Sequence, residues 1–157
     1  MSAKLIESFY EAFSRRDAEA MVATYAADVR FSDPVFIDLR GERAKDMWRM
    51  LCERGKDLEV TFGDVKVDGD RGAARWEARY TFGPTGNRVH NVIDARFVFA
   101  GGKIAEHVDS FDLRRWAGMA LGLKGKLLGW APFVQGAIRK AAARGLDEWS
   151  SKRAGWR

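Results

Sequence analysis

Three carboxyl groups and one imidazole stand where they could move protons. Asp33 lies in Ser32-Asp33-Pro34-Val35-Phe36, Asp94 in Val92-Ile93-Asp94, and His107 two residues before Asp109. A carboxyl in apolar surroundings has its charged form disfavoured, so its pKa climbs toward the range useful for proton transfer. Acids that converge push one another's pKa values apart, leaving one base and one donor at the same pH. His107 could orient or share such a proton. Plainer roles compete: an Asp before Pro is a common turn former, and His107 with Asp109 could be a buried pair that satisfies itself. His90 follows a turn and is read as facing solvent. It stands seventeen residues from His107 with no His-x-x-x-His spacing, so no metal site is expected, and no cofactor motif is present.

The elements that must carry these residues are legible from periodicity. Leu5, Ile6, Phe9, Tyr10 and Phe13 form the stripe of an amphipathic helix. Asp17 can cap a second short helix with Met21, Val22 and Tyr25 facing inward, ending before Asp28. Residues 29–36 read as a short strand stopped by Pro34. A third helix spans about Glu42 to Arg54, with Ala44, Met47, Trp48 and Leu51 on one side. Leu58, Val60 and Phe62 alternate as the next strand, followed by Val65 and Val67. Residues 73–112 are the most patterned part, divided by glycine clusters at 68–72, 83–87 and 100–102. Between them Trp76, Ala78, Tyr80 and Phe82 share one strand face, as do Ile93, Ala95, Phe97 and Phe99. That parity turns Asp94 outward unless a bulge near Ala95 to Arg96 rescues it. On the last strand Ala105, His107, Asp109 and Phe111 share a face, opposite Ile104, Glu106, Val108 and Ser110. Helices followed by a run of strands is an α+β pattern, a curved sheet around helices that leaves a conical cavity for a small ligand.

At 157 residues with 46% hydrophobic and 31% charged content, the chain is read as one domain with a real core. A single cysteine, Cys52, leaves no intramolecular disulfide. Residues 1–17 are amphipathic and charged, unlike a secretory leader, so a cytoplasmic location is expected. The net charge of +5 is uneven: residues 113–157 hold ten basic and two acidic residues, a net of +8, and residues 1–112 a net of −3.

The order and spacing of FYEAFSRRDAEAMVATYAADVRFSDPVF, ARWEARYTF, VIDARF and GGKIAEHVDSFD resemble the nuclear transport factor 2-like superfamily, and within it the SnoaL-like and ketosteroid-isomerase-like proteins, over roughly residues 4–112. The resemblance implies a cone-shaped α+β fold, with an antiparallel or mixed sheet wrapped around N-terminal helices. It implies that Asp33, in the Asp-Pro pair closing the first strand, is a general base and Asp94 a second acid. The helix-one tyrosine of that pattern falls on Phe9, with Tyr10 beside it. His107, Asp109 and Phe111 take the cavity-facing places of the last strand. Phe111-Asp112-Leu113-Arg114 also resembles the segment that follows the water-activating Asp of limonene epoxide hydrolases, which makes Asp109 its counterpart. The Arg-x-Asp pair of that family would fall on Arg75 and Glu77.

The expected enzyme is a cofactor-independent isomerase or cyclase acting on a hydrophobic carbonyl compound. Asp33, Asp109, Asp94 and His107 are its catalytic candidates, and Phe9, Tyr25, Trp48, Trp76, Tyr80 and Phe111 line the ligand. Epoxide hydration by Asp109, or ligand binding without catalysis, are the alternatives. A homodimer is expected, with no nucleic-acid partner. From Leu113 the pattern changes: residues 113–157 read as a basic helical extension packed on the 1–112 domain or on a partner. Trp116, Met119, Ala120, Leu123, Leu127 and Trp130 mark a helix weakened by glycines, and a second helix runs from Pro132 to about Trp149. Lys124 and Lys126 interrupt the apolar run, so no membrane span is expected; the helices close the mouth of the cone or pack as above, with weak contact with a membrane surface as the alternative. Residues 150–157 read as a frayed end.

Overall fold

The apolar stripe folds as α1 (Ser2–Ser14), burying Ile6, Phe9, Tyr10, Ala12 and Phe13, in a computed structural model that describes residues 2–155. Asp17 caps α2 (Ala18–Ala23), its side chain accepting from the Ala20 N–H. That helix is shorter than its sequence pattern suggests. The β-branched Thr24 ends it by donating its hydroxyl back to the Met21 carbonyl, and β1 (Tyr25–Ser32) begins at once. Tyr25 is therefore a strand residue, although the periodicity places it on helix two. A two-residue β2 (Leu39–Arg40) leads to α3 (Glu42–Arg54), which buries Ala44, Met47, Trp48, Met50 and Cys52.

The sheet continues with β3 (Glu59–Asp68), β4 (Arg71–Phe82), β5 (Asn87–Ala100) and β6 (Lys103–Ser110). The six strands run in the order β2-β1-β6-β5-β4-β3. All neighbours are antiparallel except β1 and β6, so the sheet is mixed. The glycine turns lie where the sequence puts them, with Gly69, Gly86, Gly101 and Gly102 at positive φ. Gly72 is the exception, since it belongs to β4. A Cβ there would come within 2.8 Å of Phe99 and 2.9 Å of Ile6, so its use is close packing of strand on helix.

Two parities were open. β5 alternates without interruption from Asn91 to Phe99, burying the odd positions. The irregularity lies further along, where Val98 pairs with Glu106 but Phe99 with Ile104. That bulge absorbs Ala105, so Ile104 is buried on the same side as His107 and Asp109. Ile104 was expected on the opposite face.

The extension forms α4 (Leu113–Leu121), α5 (Leu123–Leu128) and α6 (Pro132–Ala154). Asp112 caps α4 by accepting from the Arg115 N–H. Trp116, Ala117 and Ala120 pack with Val89 of β5 in a second apolar cluster. Thr85 and Asn87 side chains both donate to the Ala120 carbonyl, tying the end of α4 to the β4–β5 turn. The glycines prove to be a packing surface. A Cβ on Gly125 would lie 1.8 Å from the Ala117 carbonyl oxygen, and one on Gly129 would lie 3.1 Å from the Ala117 Cβ, so α5 crosses α4 backbone to backbone. α6 packs on α3: Ser150 and Arg153 donate to Asp46, and Trp149 to Glu53. The expected frayed end is helical through Ala154, and Trp156 and Arg157 lie outside the described residues.

Candidate functional site

The centre of the molecule holds a chain of polar side chains inside an aromatic core. Trp48 is on α3, Tyr25 begins β1, His107 and Asp109 share the inner face of β6, and Trp76 faces them from β4. Trp48 Nε1–H donates to the Tyr25 oxygen at 2.8 Å, and Tyr25 and His107 Nδ1 are 2.7 Å apart. His107 Nε2 lies 2.8 Å from Asp109 Oδ1, which also receives Trp76 Nε1–H at 3.3 Å. His107 is fully buried and Asp109 is 3% exposed.

The donors assign the direction. Indole N–H can only donate, so Tyr25 accepts from Trp48 and has its own proton to give to His107 Nδ1. Nε2 then carries the imidazole proton and offers it to Asp109. A protonated imidazole would leave the Tyr25 hydroxyl proton without an acceptor. Every proton in the chain thus points toward Asp109, which fixes both the ring and the carboxyl. Burial, and then the nearby Asp109, hold the Tyr25 phenol well above its ordinary pKa.

Asp33 follows β1 at the same level. The parallel register pairs Phe31 with His107 and Ser32 with Val108, which carries Asp33 to the height of Asp109. Pro34 turns the chain, and Asp33 Oδ1 accepts from the backbone N–H groups of Val35 and Phe36 at 2.7 and 2.6 Å. Its turn-forming role is therefore real. Burial nonetheless pushes its pKa up to about 7, those two bonds opposing and Asp109 reinforcing the shift. The extension closes over this end of the sheet. Trp116 Nε1–H donates to the Tyr80 hydroxyl at 2.7 Å, and Arg139 Nε–H to the Pro34 carbonyl at 2.9 Å. Burial raises the Tyr80 pKa too, with a smaller contribution from Asp33.

Among the expected site residues, Phe9, Tyr25, Trp48 and Trp76 are buried around His107, and Tyr80 and Phe111 are partly buried beside the extension. Phe9 stacks on Tyr25 at 5.4 Å, and Trp48 on His107 at 5.8 Å. Asp94 is a correction. It faces solvent from the outer side of β5, 3.9 Å from Arg75 and with its side chain 74% exposed, because no bulge interrupts that strand. Arg75 is exposed and Glu77 half-exposed on the same outer face, Glu77 pairing with His90 at 2.8 Å, so that Arg-x-Glu pair does not reach the interior. The expected conical cavity is also corrected. Interlocked rings of Phe9, Tyr10, Phe13, Trp48, Trp76 and Phe97 occupy that space. Concavities of about 480 and 690 Å³ open elsewhere, one beside Gly101 and one between α3 and α6.

Tyr10, read from the sequence as part of the helix-one stripe and as the neighbour of Phe9, is given no role in the site by that reading. It is fully buried, its hydroxyl has no hydrogen-bond partner among the described residues, and burial, with Asp109 and Tyr25 nearby, raises its pKa well above the ordinary value. Its place in the helix-one stripe marks it as core, and only its packing against Phe62, Trp76 and Phe97 shows that its hydroxyl is unsatisfied among the site's aromatics. Among the described residues, no cluster of three or more His, Cys, Asp or Glu side chains could hold a metal ion.

Solved structures share this architecture. An M. tuberculosis LEH-like epoxide hydrolase is 22% identical with a TM-score of 0.64, over 82% of this chain and 94% of its own. A candidate SnoaL-like polyketide cyclase from Jannaschia sp. CCS1 is 18% identical with a TM-score of 0.67, over 76% and 90%. A nuclear transport factor 2-like protein of unknown function from Burkholderia pseudomallei is 20% identical with a TM-score of 0.60, over 69% and 88%. At these identities the likeness is one of fold. No curated protein matches the chain in sequence. The SnoaL-like domain model matches residues 6–107, from α1 to the central histidine, so with the mixed curved sheet and its buried acid the chain belongs to the SnoaL-like family.

Proposed function

We propose that this chain is a cofactor-independent acid/base enzyme of the ketosteroid-isomerase or cyclase type, acting on a small hydrophobic carbonyl compound. The observation that supports it best is the buried Trp48–Tyr25–His107–Asp109 chain ending level with Asp33. Asp33 is the proton carrier: with a pKa of about 7 it is half-ionised near neutrality, where proton abstraction and return are both served. Asp109, fixed by His107 and Trp76, is the second acid. Asp94 has no part in this reading because it lies outside the sheet. Epoxide hydration by Asp109 loses support for a similar reason, since Arg75 and Glu77 face outward. A non-catalytic apolar binder is the second reading, favoured by the ring-filled interior. Homodimer formation and a cytoplasmic location complete the proposal.

The test is deuterium exchange at the α-carbon of apolar ketones in D2O, followed by proton NMR. Wild-type protein is expected to speed exchange with a midpoint near pH 7, and Asp33→Asn to lower the rate about 100- to 10,000-fold. Exchange no faster than buffer, with line-broadening of a ketone that binds, would select the binder.

A further inference from the structure

The α4–α5 hairpin and the start of α6 present apolar side chains to solvent in one place. Leu123 is 71% exposed, Leu127 62%, Trp130 60% and Phe133 73%, with Leu128 beside them. Only three other large apolar residues of the described chain, Ile37, Val67 and Val108, are comparably exposed, and they are scattered. The arrangement follows from packing. Gly125 and Gly129 form the face of α5 that touches Ala117, so the leucines on its other side are driven outward. Trp130 folds back and gives its indole N–H to the Leu127 carbonyl at 2.9 Å. Its one polar group is thereby satisfied and the ring is left as apolar surface.

The charge around this patch has one sign. Residues 113–146 contain seven Lys or Arg and no Asp or Glu. Lys124 and Lys126 stand among the exposed leucines, and Arg114, Arg115, Lys140 and Arg144 are exposed on the flanking helices. Trp130 and Phe133 can stack on bases but Leu123, Leu127 and Leu128 cannot, so nucleic acid would leave the leucines unused. A second copy of this face would set lysine against lysine. Apolar side chains at the level of acyl chains with lysines among phosphate groups fit an anionic bilayer surface, and no helix among the described residues is long and apolar enough to cross a membrane.

We infer that the α4–α6 corner docks peripherally on an anionic lipid leaflet, inserting Leu123, Leu127, Trp130 and Phe133 and seating Lys124 and Lys126 on lipid phosphates. The inference does not depend on the reaction. It has a geometric corollary, since the same helices cover the Asp33 end of the sheet and docking brings that end to the lipid.

The test is flotation of the full chain with vesicles of phosphatidylcholine alone, or of phosphatidylcholine and phosphatidylglycerol in equal parts. Binding to the mixed vesicles is expected to weaken as salt shortens the screening length. Leu127→Ser with Trp130→Ser, and separately Lys124→Glu with Lys126→Glu, are each expected to lower the partition coefficient at least tenfold. These positions are exposed, so far-UV circular dichroism and the thermal midpoint should be unchanged. No binding to mixed vesicles at low salt, or folded variants that bind as wild type does, would overturn the inference. So would a wild-type dimer that the leucine–tryptophan variant converts to monomer without any lipid binding, which would make the patch a self-interface.

Discussion

Asp33 illustrates how one side chain can be held by the backbone and still be costly to ionise. Unfolded, it ionises near its ordinary value of 3.8; folded, near 7. Between those values the native state holds the extra proton, so stability present at acid pH is lost as pH rises through the window. Asp33→Asn keeps the oxygen that accepts from Val35 and Phe36 and removes the charge. Urea denaturation is expected to show the variant more stable at pH 8, by up to about 4 kcal/mol, with the advantage fading toward pH 4. Two tyrosines offer the opposite comparison. Tyr25→Phe orphans a donor on Trp48 and an acceptor on His107, both buried, and should destabilise by about 2–4 kcal/mol. Tyr10→Phe removes a hydroxyl that nothing satisfies, so it should be neutral or stabilising in the same measurement. A loss with Tyr10→Phe as large as that with Tyr25→Phe would mean that the hydroxyl has a partner.

At the level of elements, strand parity was readable only where strands are regular. The alternation through Trp76 and through Ile93 to Phe99 put the right side chains inward, and it also implied that Asp94 faces out. On β6 the bulge at Ala105 put Ile104 inward with His107, because a pairing defect is a property of two strands and leaves no mark in either alone. Tyr25 was misplaced for a related reason, since the helix pattern runs on past the point where strand pairing takes over. The glycines of α5 were read for low helix propensity, whereas their use is tertiary. Gly125→Ala should force α5 off α4, since the added Cβ meets a backbone carbonyl that cannot swing away. The expected result is a loss of about 1–3 kcal/mol with faster amide exchange in α4 and α5. Exchange in β4 and β5 should change little, and unchanged exchange in the hairpin would show that the contact is dispensable.

For the molecule as a whole, the sequence carried the order of elements and the acids, but not what fills the space between them. The family pattern implies a hollow cone. The volumes of Phe9, Tyr10, Phe13, Trp48, Trp76 and Phe97 close it, and such filling depends on three-dimensional complementarity that periodicity does not encode. The extension also acts at this scale. Arg153 of the extension meets Asp46 of the body, and Asp147 of the extension meets Arg43, so ion pairs of both senses hold α6 to α3. Of the other described basic residues of the extension, Arg114, Arg115, Lys124 and Lys126 lie on α4 and α5 and are exposed.

The backbone contact between α5 and α4 has an evolutionary reading. Side chains at 123, 127, 130 and 133 carry no packing duty, because Gly125, Gly129 and Ala117 hold the helices together without them. Under mutational drift such sites should fill with polar residues, since exposed leucine and tryptophan lower solubility and return nothing to the fold. Descendants that keep the glycines but lose the leucines would have kept the hairpin as scaffold alone. Descendants that keep both record selection by something outside the chain.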